Sequence, residues 1–115
     1  MNSEKLAYKI SDLMLRKKGI GIKILDLRKL TTVTDYFVIC SASSDTQVKA
    51  ISDFIKEETK KIDERPWHNE GYSNLSWVLL DFVDVVAHIF LEDTRKFYNL
   101  EGLWADAVIT EIKDE

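Results

Sequence analysis

Few residues in this 115-residue chain could do chemistry: one cysteine, Cys40, two histidines, His68 and His88, and the acids Glu70, Asp81 and Asp84 near them. Cys40 with a histidine base would be the minimal thiol-enzyme arrangement. Cys40 follows Phe37-Val38-Ile39, however, a run typical of a buried strand, where a thiol is a small hydrophobe rather than a nucleophile. His68 and His88 with Glu70 and Asp81 offer four metal-binding groups, but their spacing matches no recognised ligand pattern. Asp81 and Asp84 resemble the paired carboxylates of phosphoryl transfer. That chemistry needs two acids on one strand face reaching the same Mg²⁺. Asp81-Phe82-Val83-Asp84 separates them by three positions across a turn, which points them apart. The four glycines, at 19, 21, 71 and 102, build no phosphate loop. No catalytic set, cofactor site or metal site emerges.

The elements that must position these residues follow from pattern. The length suits one domain, and 45% hydrophobic with 31% charged residues is a globular composition. No apolar run reaches the ~20 residues that span a bilayer, and Met-Asn-Ser-Glu-Lys-Leu lacks the apolar stretch of a signal peptide. A cytoplasmic protein without a membrane partner is expected. Ser3 is read as the N-cap of a first helix carrying Leu6, Ile10, Leu13 and Met14, stopped by Gly19. Strands are expected at 22–27 and 35–41, the second apolar enough to be covered on both faces. Ser44 and Gln47 form a capping box for a helix over 45–62, with Val48, Ile51, Ile55 and Ile62 on one stripe. Arg65-Pro66 ends it. A short edge strand follows at 67–72, then strands at 77–82 and 85–90 around a tight turn. Asp93 is read as the cap of a last helix through Tyr98, with another turn at 100–104. The order αββαβββα predicts a single α/β domain, with a mixed, roughly five-stranded sheet packed by helices.

A tight turn between the last two strands fixes their register. Val78, Leu80 and Phe82 then share a wholly apolar face with Val85, Ala87 and Ile89. The opposite face carries Trp77, Leu79 and Asp81 beside Val86, His88 and Phe90. Large aromatics mixed with an acid and an imidazole suit the core of a protein interface. The same residues would equally suit a face covered by the terminal helix, and the pattern leaves both readings open. On the interface reading Trp77 and Asp81 can be replaced without unfolding the chain. Charge adds a preference. Residues 65–115 hold four basic residues against ten acids, while residues 1–21 hold five against two. The acidic second half disfavours nucleic acid and favours a basic protein partner.

Three blocks then carry a family resemblance. Thr34-Asp35-Tyr36-Phe37-Val38-Ile39-Cys40-Ser41 with Ser44, Gln47-Val48 and Ala50-Ile51 is the first. Glu70-Gly71, Trp77-Val78-Leu79-Leu80-Asp81-Phe82, Asp84-Val85-Val86 and His88-Ile89-Phe90 make the second. The third is Arg95 to Glu101 with Leu103-Trp104 and Asp106-Ala107. Together they resemble the ribosomal silencing factor (Iojap-like) family over nearly the whole chain. Ala42 and Val83 stand where that family usually has glycine, and valine disfavours the positive φ of a tight turn. The resemblance implies a nucleotidyltransferase-like topology without the catalytic acids. It also implies binding to the large ribosomal subunit through its fourteenth protein, blocking the small subunit and repressing translation when nutrients are short. Homodimers are a second association it implies. The contact residues expected are Glu70, Trp77, Leu79, Asp81, His88 and Tyr98. A degenerate nucleotidyltransferase-like enzyme and a generic dimerisation module are the alternatives. Mg²⁺-dependent nucleotide binding would favour the first of these, and failure to co-sediment with large subunits the second.

Overall fold

The computed structural model describes residues 1–113. Helix α1 (Ser3–Arg16) leads into β1 (Ile20–Asp26) and β2 (Tyr36–Ala42), then α2 (Asp45–Lys60). Strands β3 (His68–Glu70), β4 (Trp77–Asp81) and β5 (Val85–Leu91) follow, then the short helices α3 (Glu92–Tyr98) and α4 (Leu100–Leu103) and strand β6 (Val108–Glu111). The sheet has six strands in the order β3-β4-β5-β2-β1-β6, and β2–β5 is its parallel pair. The sixth strand departs from the five expected. β6 pairs antiparallel with β1, Leu25 opposite Ile109, through backbone hydrogen bonds that its short, exposed sequence does not advertise.

Helices α1 and α2 pack on one face of the sheet. Val38, Cys40, Val78, Leu80, Phe82, Val85, Ala87 and Ile89 meet Leu6, Ile10, Leu13, Val48, Ile51 and Ile55 there in one buried core. The expected apolar face of the hairpin is therefore the helix-facing one. Register follows expectation too, with Asp81 opposite Val86 and Trp77 opposite Phe90.

Several ends differ from the sequence reading. Asn2, not Ser3, caps α1, its Oδ1 accepting from the Lys5 N–H at 2.8 Å. Both residue types cap well, and the Ser3 hydroxyl instead donates to Asp35 Oδ2 at 2.8 Å. After α1, Lys18 takes the left-handed conformation (φ 63°), and the Lys18 and Gly19 N–H groups return to Leu15 and Met14 O in a Schellman pattern. Gly19 is thus one residue beyond the left-handed position. Ser44 caps α2 as expected, accepting from Gln47 N, but the Gln47 amide oxygen takes the Ser43 N–H rather than closing on Ser44. Helix α2 ends at Lys60, before Ile62, which is exposed. Leu91, not Asp93, occupies the N-cap of α3, with no side-chain cap. The edge strand is three residues long because Gly71 breaks it. At φ 96° it approaches the Trp77 carbonyl so closely that a Cβ would overlap that oxygen.

Candidate docking surface

The second sheet face is half covered by the terminal segment and half open. Helix α4 and the turn after it lay Leu100, Trp104 and Ala107 over Leu25, Leu27, Ile39 and Phe90. Toward the β3–β4 edge the cover ends. His68 and Glu70 of β3 stand there opposite Asp81 and Leu79 of β4 and share their face. Both β3 residues are exposed and linked by a 3.1 Å contact between His68 Nε2 and Glu70 Oε1.

All six predicted contact residues converge on this open end. Leu79 is paired with Glu70 on one side and His88 on the other. Trp77 stacks on Phe90 at 4.7 Å, meets the Tyr98 ring at 5.1 Å, and donates its indole N–H to His88 Nδ1 at 3.1 Å. Phe97 continues the aromatic series beside Tyr98 and is 80% exposed. Next to this ridge lies a groove of about 430 Å³, lined by residues that include Phe37, Leu79, Asp81, Val86, His88 and Trp104. Leu79 and Trp77 also border a second depression, beside Glu70.

These residues differ in how far they are free. His88 is 3% exposed, and burial pushes its imidazole down to about 3, so it is neutral throughout the physiological range. Trp77 is partly buried, and Asp81 Oδ1 accepts the Val83 N–H at 2.8 Å. Neither lies in the helix-facing core, as expected, but each also makes internal contacts, Trp77 with Phe90 and Asp81 with the turn. That turn carries Val83 at φ 77°, and the Asp84 N–H returns to Phe82 O at 3.1 Å, a γ-turn where the resemblance leads one to expect glycine.

Tyr98 is held in place from behind. No residue of α3 is fully buried. Arg95, three residues before Tyr98, donates to Ile20 O (3.2 Å), Gly21 O (2.7 Å), Ser41 Oγ (3.2 Å) and both carboxylate oxygens of Glu101 (3.3 and 3.1 Å). Burial works against the Glu101 carboxylate, but the Arg95 hydrogen bonds and charge, with Lys23, keep its pKa below the usual value. Gly21 sits in the β1 bulge at φ 58°, and Arg95 fills the space its missing Cβ leaves. Sequence reasoning passed over Thr34, Phe37 and Trp104 as parts of the site. Only the position of Phe37, opposite in face to Val38, could have signalled one of them.

Cys40 is fully buried on the helix-facing side, its thiol pushed up to about 12 chiefly by desolvation. Asp81 and Asp84 do not form a pair. Asp81 lines the groove, whereas Asp84 is exposed in the turn and its carbonyl accepts from Asp35 and Tyr36 N–H. Among the described residues no His, Cys, Asp or Glu cluster could hold a metal ion, and no helix is long and apolar enough to cross a membrane.

An aromatic ridge with acids at its edge thus stands at the open end of the second sheet face. Comparison with known proteins gives this surface a context. Residues 1–115 match the family model described as "Ribosomal silencing factor during starvation". The chain belongs to the ribosomal silencing factor family. It is 41% identical over 96 residues to the ribosomal silencing factor of Bacillus subtilis, covering 84% of this chain and 81% of that one. It is 39% identical over 95 residues to the chloroplastic Iojap protein of Zea mays, covering 83% of this chain and 41% of that one. A crystal structure of a Chromobacterium violaceum protein, 30% identical, superposes with a TM-score of 0.88 over 91% of this chain and 88% of its own. One from Bacillus halodurans, 34% identical, gives 0.78 over 96% and 100%. Family membership places the chain among ribosome-associated repressors of translation.

Proposed function

We propose that the open end of the second sheet face docks onto the fourteenth protein of the large ribosomal subunit, on the side that the small subunit must meet. Occupying that side blocks subunit joining and represses translation in the cytoplasm under nutrient limitation. No bond is made or broken; the effect is steric. The observation that carries the reading is the convergence of Glu70, Trp77, Leu79, Asp81, His88 and Tyr98 at one uncovered sheet end in a chain of this family. The aromatics supply area from which water is excluded, and Glu70 and Asp81 supply acceptors for the Arg or Lys of a basic ribosomal protein.

Co-sedimentation tests it. The wild-type chain should migrate with free large subunits and not with joined ribosomes. Leu79→Glu is the cleanest probe, because Leu79 is only partly buried at the ridge and its side chain makes no hydrogen bond. It should weaken recovery by roughly tenfold or more while the melting temperature stays close to wild type. Equal recovery with joined ribosomes, or undiminished binding by Leu79→Glu, would overturn the proposal. A second copy of the chain is the competing occupant. The outer edges of β3 and β6 have no partner strand among the described residues, which favours strand-to-strand pairing there. A molecular mass measured in solution would separate a monomer from that dimer.

A further inference from the structure

Three buried polar side-chain atoms lack a hydrogen-bond partner among the described residues, and two of them, His88 Nε2 and Thr34 Oγ1, belong to residues lining the 430 Å³ groove beside the ridge. The state of His88 follows from its neighbour. The Trp77 indole can only donate, so the His88 Nδ1 it reaches at 3.1 Å must be the acceptor, and the single proton of the neutral ring lies on Nε2. Just beneath the groove surface there is therefore an unused donor, the His88 N–H, and an unused hydroxyl. Its walls are Phe37, Leu79, Val86 and Trp104, with the Asp81 carboxylate among the lining groups.

We propose that this groove receives one uncharged hydrogen-bonding side chain, a carboxamide or a hydroxyl, projected by the protein onto which the face docks. Its acceptor atom takes the His88 Nε2 proton. The proposal rests on the docking reading above and specifies its chemistry. An ammonium or guanidinium has no lone pair for the His88 N–H. To meet such a group, His88 would have to move its proton to Nδ1, against the indole N–H. A carboxylate would be desolvated among aromatic walls beside Asp81. A hydrocarbon would leave both polar atoms unpaired, as they are in the free chain, and so would gain neither hydrogen bond. A neutral head that both accepts and donates is what remains, and Thr34 Oγ1 can serve as either partner to it. In the free chain both atoms are almost wholly covered, so the incoming head reaches them by displacing the side chains above. Val33 and Val83, 81% and 48% exposed, also line the groove and are then removed from water.

The test uses Thr34→Val, which swaps a hydroxyl for a methyl of the same shape. A hydroxyl that makes no internal hydrogen bond leaves the melting temperature unchanged or raised when it goes. Affinity for purified free large subunits should fall about fivefold, the loss of one ordinary hydrogen bond. Nitrogen-15 correlation of the histidine ring in the free protein should show the proton on His88 Nε2. Wild-type affinity in Thr34→Val while Leu79→Glu loses binding would overturn this proposal and leave docking standing. Undiminished binding by both variants would overturn both. A lowered melting temperature for Thr34→Val, or a proton found on Nδ1, would show these atoms already satisfied and overturn the proposal by itself.

Discussion

His88 ties acid stability to the hidden side of the proposed docking face. In the unfolded chain its imidazole titrates near the ordinary value of 6.5, whereas in the folded chain burial among Phe37, Trp77 and Phe90 holds it at about 3. The unfolded state therefore binds a proton over a pH range in which the folded state does not. The stabilisation is complete above the unfolded value and is lost as pH falls through 6.5 toward 3, at about 1.4 kcal/mol per pH unit. By pH 5 the loss reaches ~2 kcal/mol, which in a domain of this size lowers the melting temperature by roughly 8 °C. His88→Gln removes the titration and keeps an amide oxygen to accept the Trp77 indole N–H. Melts of both proteins between pH 7 and pH 5 isolate the contribution, since the exposed His68 and the carboxylates remain in each. The wild-type curve should fall more steeply than the variant's by about that amount. Parallel curves, or a His88 ring that titrates near 6.5 by NMR, would refute the reasoning.

Two further outcomes follow from local geometry. Val83→Gly relieves a β-branched residue at φ 77°: ~2 kcal/mol of strain released against ~1 kcal/mol of added unfolded-chain entropy leaves a net gain of about 1 kcal/mol. A thermal melt should rise by roughly 4 °C, and an unchanged or lowered melt counts against the strained turn. Cys40, fully buried with its thiol pushed up to about 12, should resist a thiol reagent in the native protein at neutral pH and react only as the chain unfolds. Rapid native labelling would contradict its placement.

What could be read in the sequence was what local pattern controls. The β4–β5 register was legible because Val78, Leu80 and Phe82 alternate with polar or aromatic neighbours, and a one-residue slip would expose the whole apolar set. Helix α2 was legible from Ser44 and the stripe behind it. Strand β6 was not, because Val108 and Ile109 stand side by side without alternation, and its pairing partner β1 lies more than 80 residues back. The cap of α1 was misplaced by one residue because the Ser3 hydroxyl is engaged by Asp35, a contact 32 positions away. How far the second face is covered depends on Asn99, whose left-handed conformation (φ 46°) lies between α3 and α4 and turns Leu100 and Trp104 toward the sheet. Nothing in residue type alone requires that bend. Hairpin register together with the family blocks brought out the six residues that converge at the open end, but not the groove beside them. Thr34 enters from the loop before β2 and Trp104 from the segment after α4.

The two faces of the sheet are held by different physics. On the helix side, fully buried aliphatic side chains from both helices and four strands supply a non-directional driving force. On the other side the cover is thin, and Arg95 fixes it by direction rather than by area. Its guanidinium reaches carbonyls of β1, the Ser41 hydroxyl of β2 and the Glu101 carboxylate at once. A planar fork with its donors committed leaves α3 little freedom to shift. Tyr98 is thereby presented against Trp77 although no residue of its helix is fully buried. The open end can then keep exposed aromatics, unpaired polar atoms and a left-handed valine, because the larger of the two buried cores lies on the opposite face.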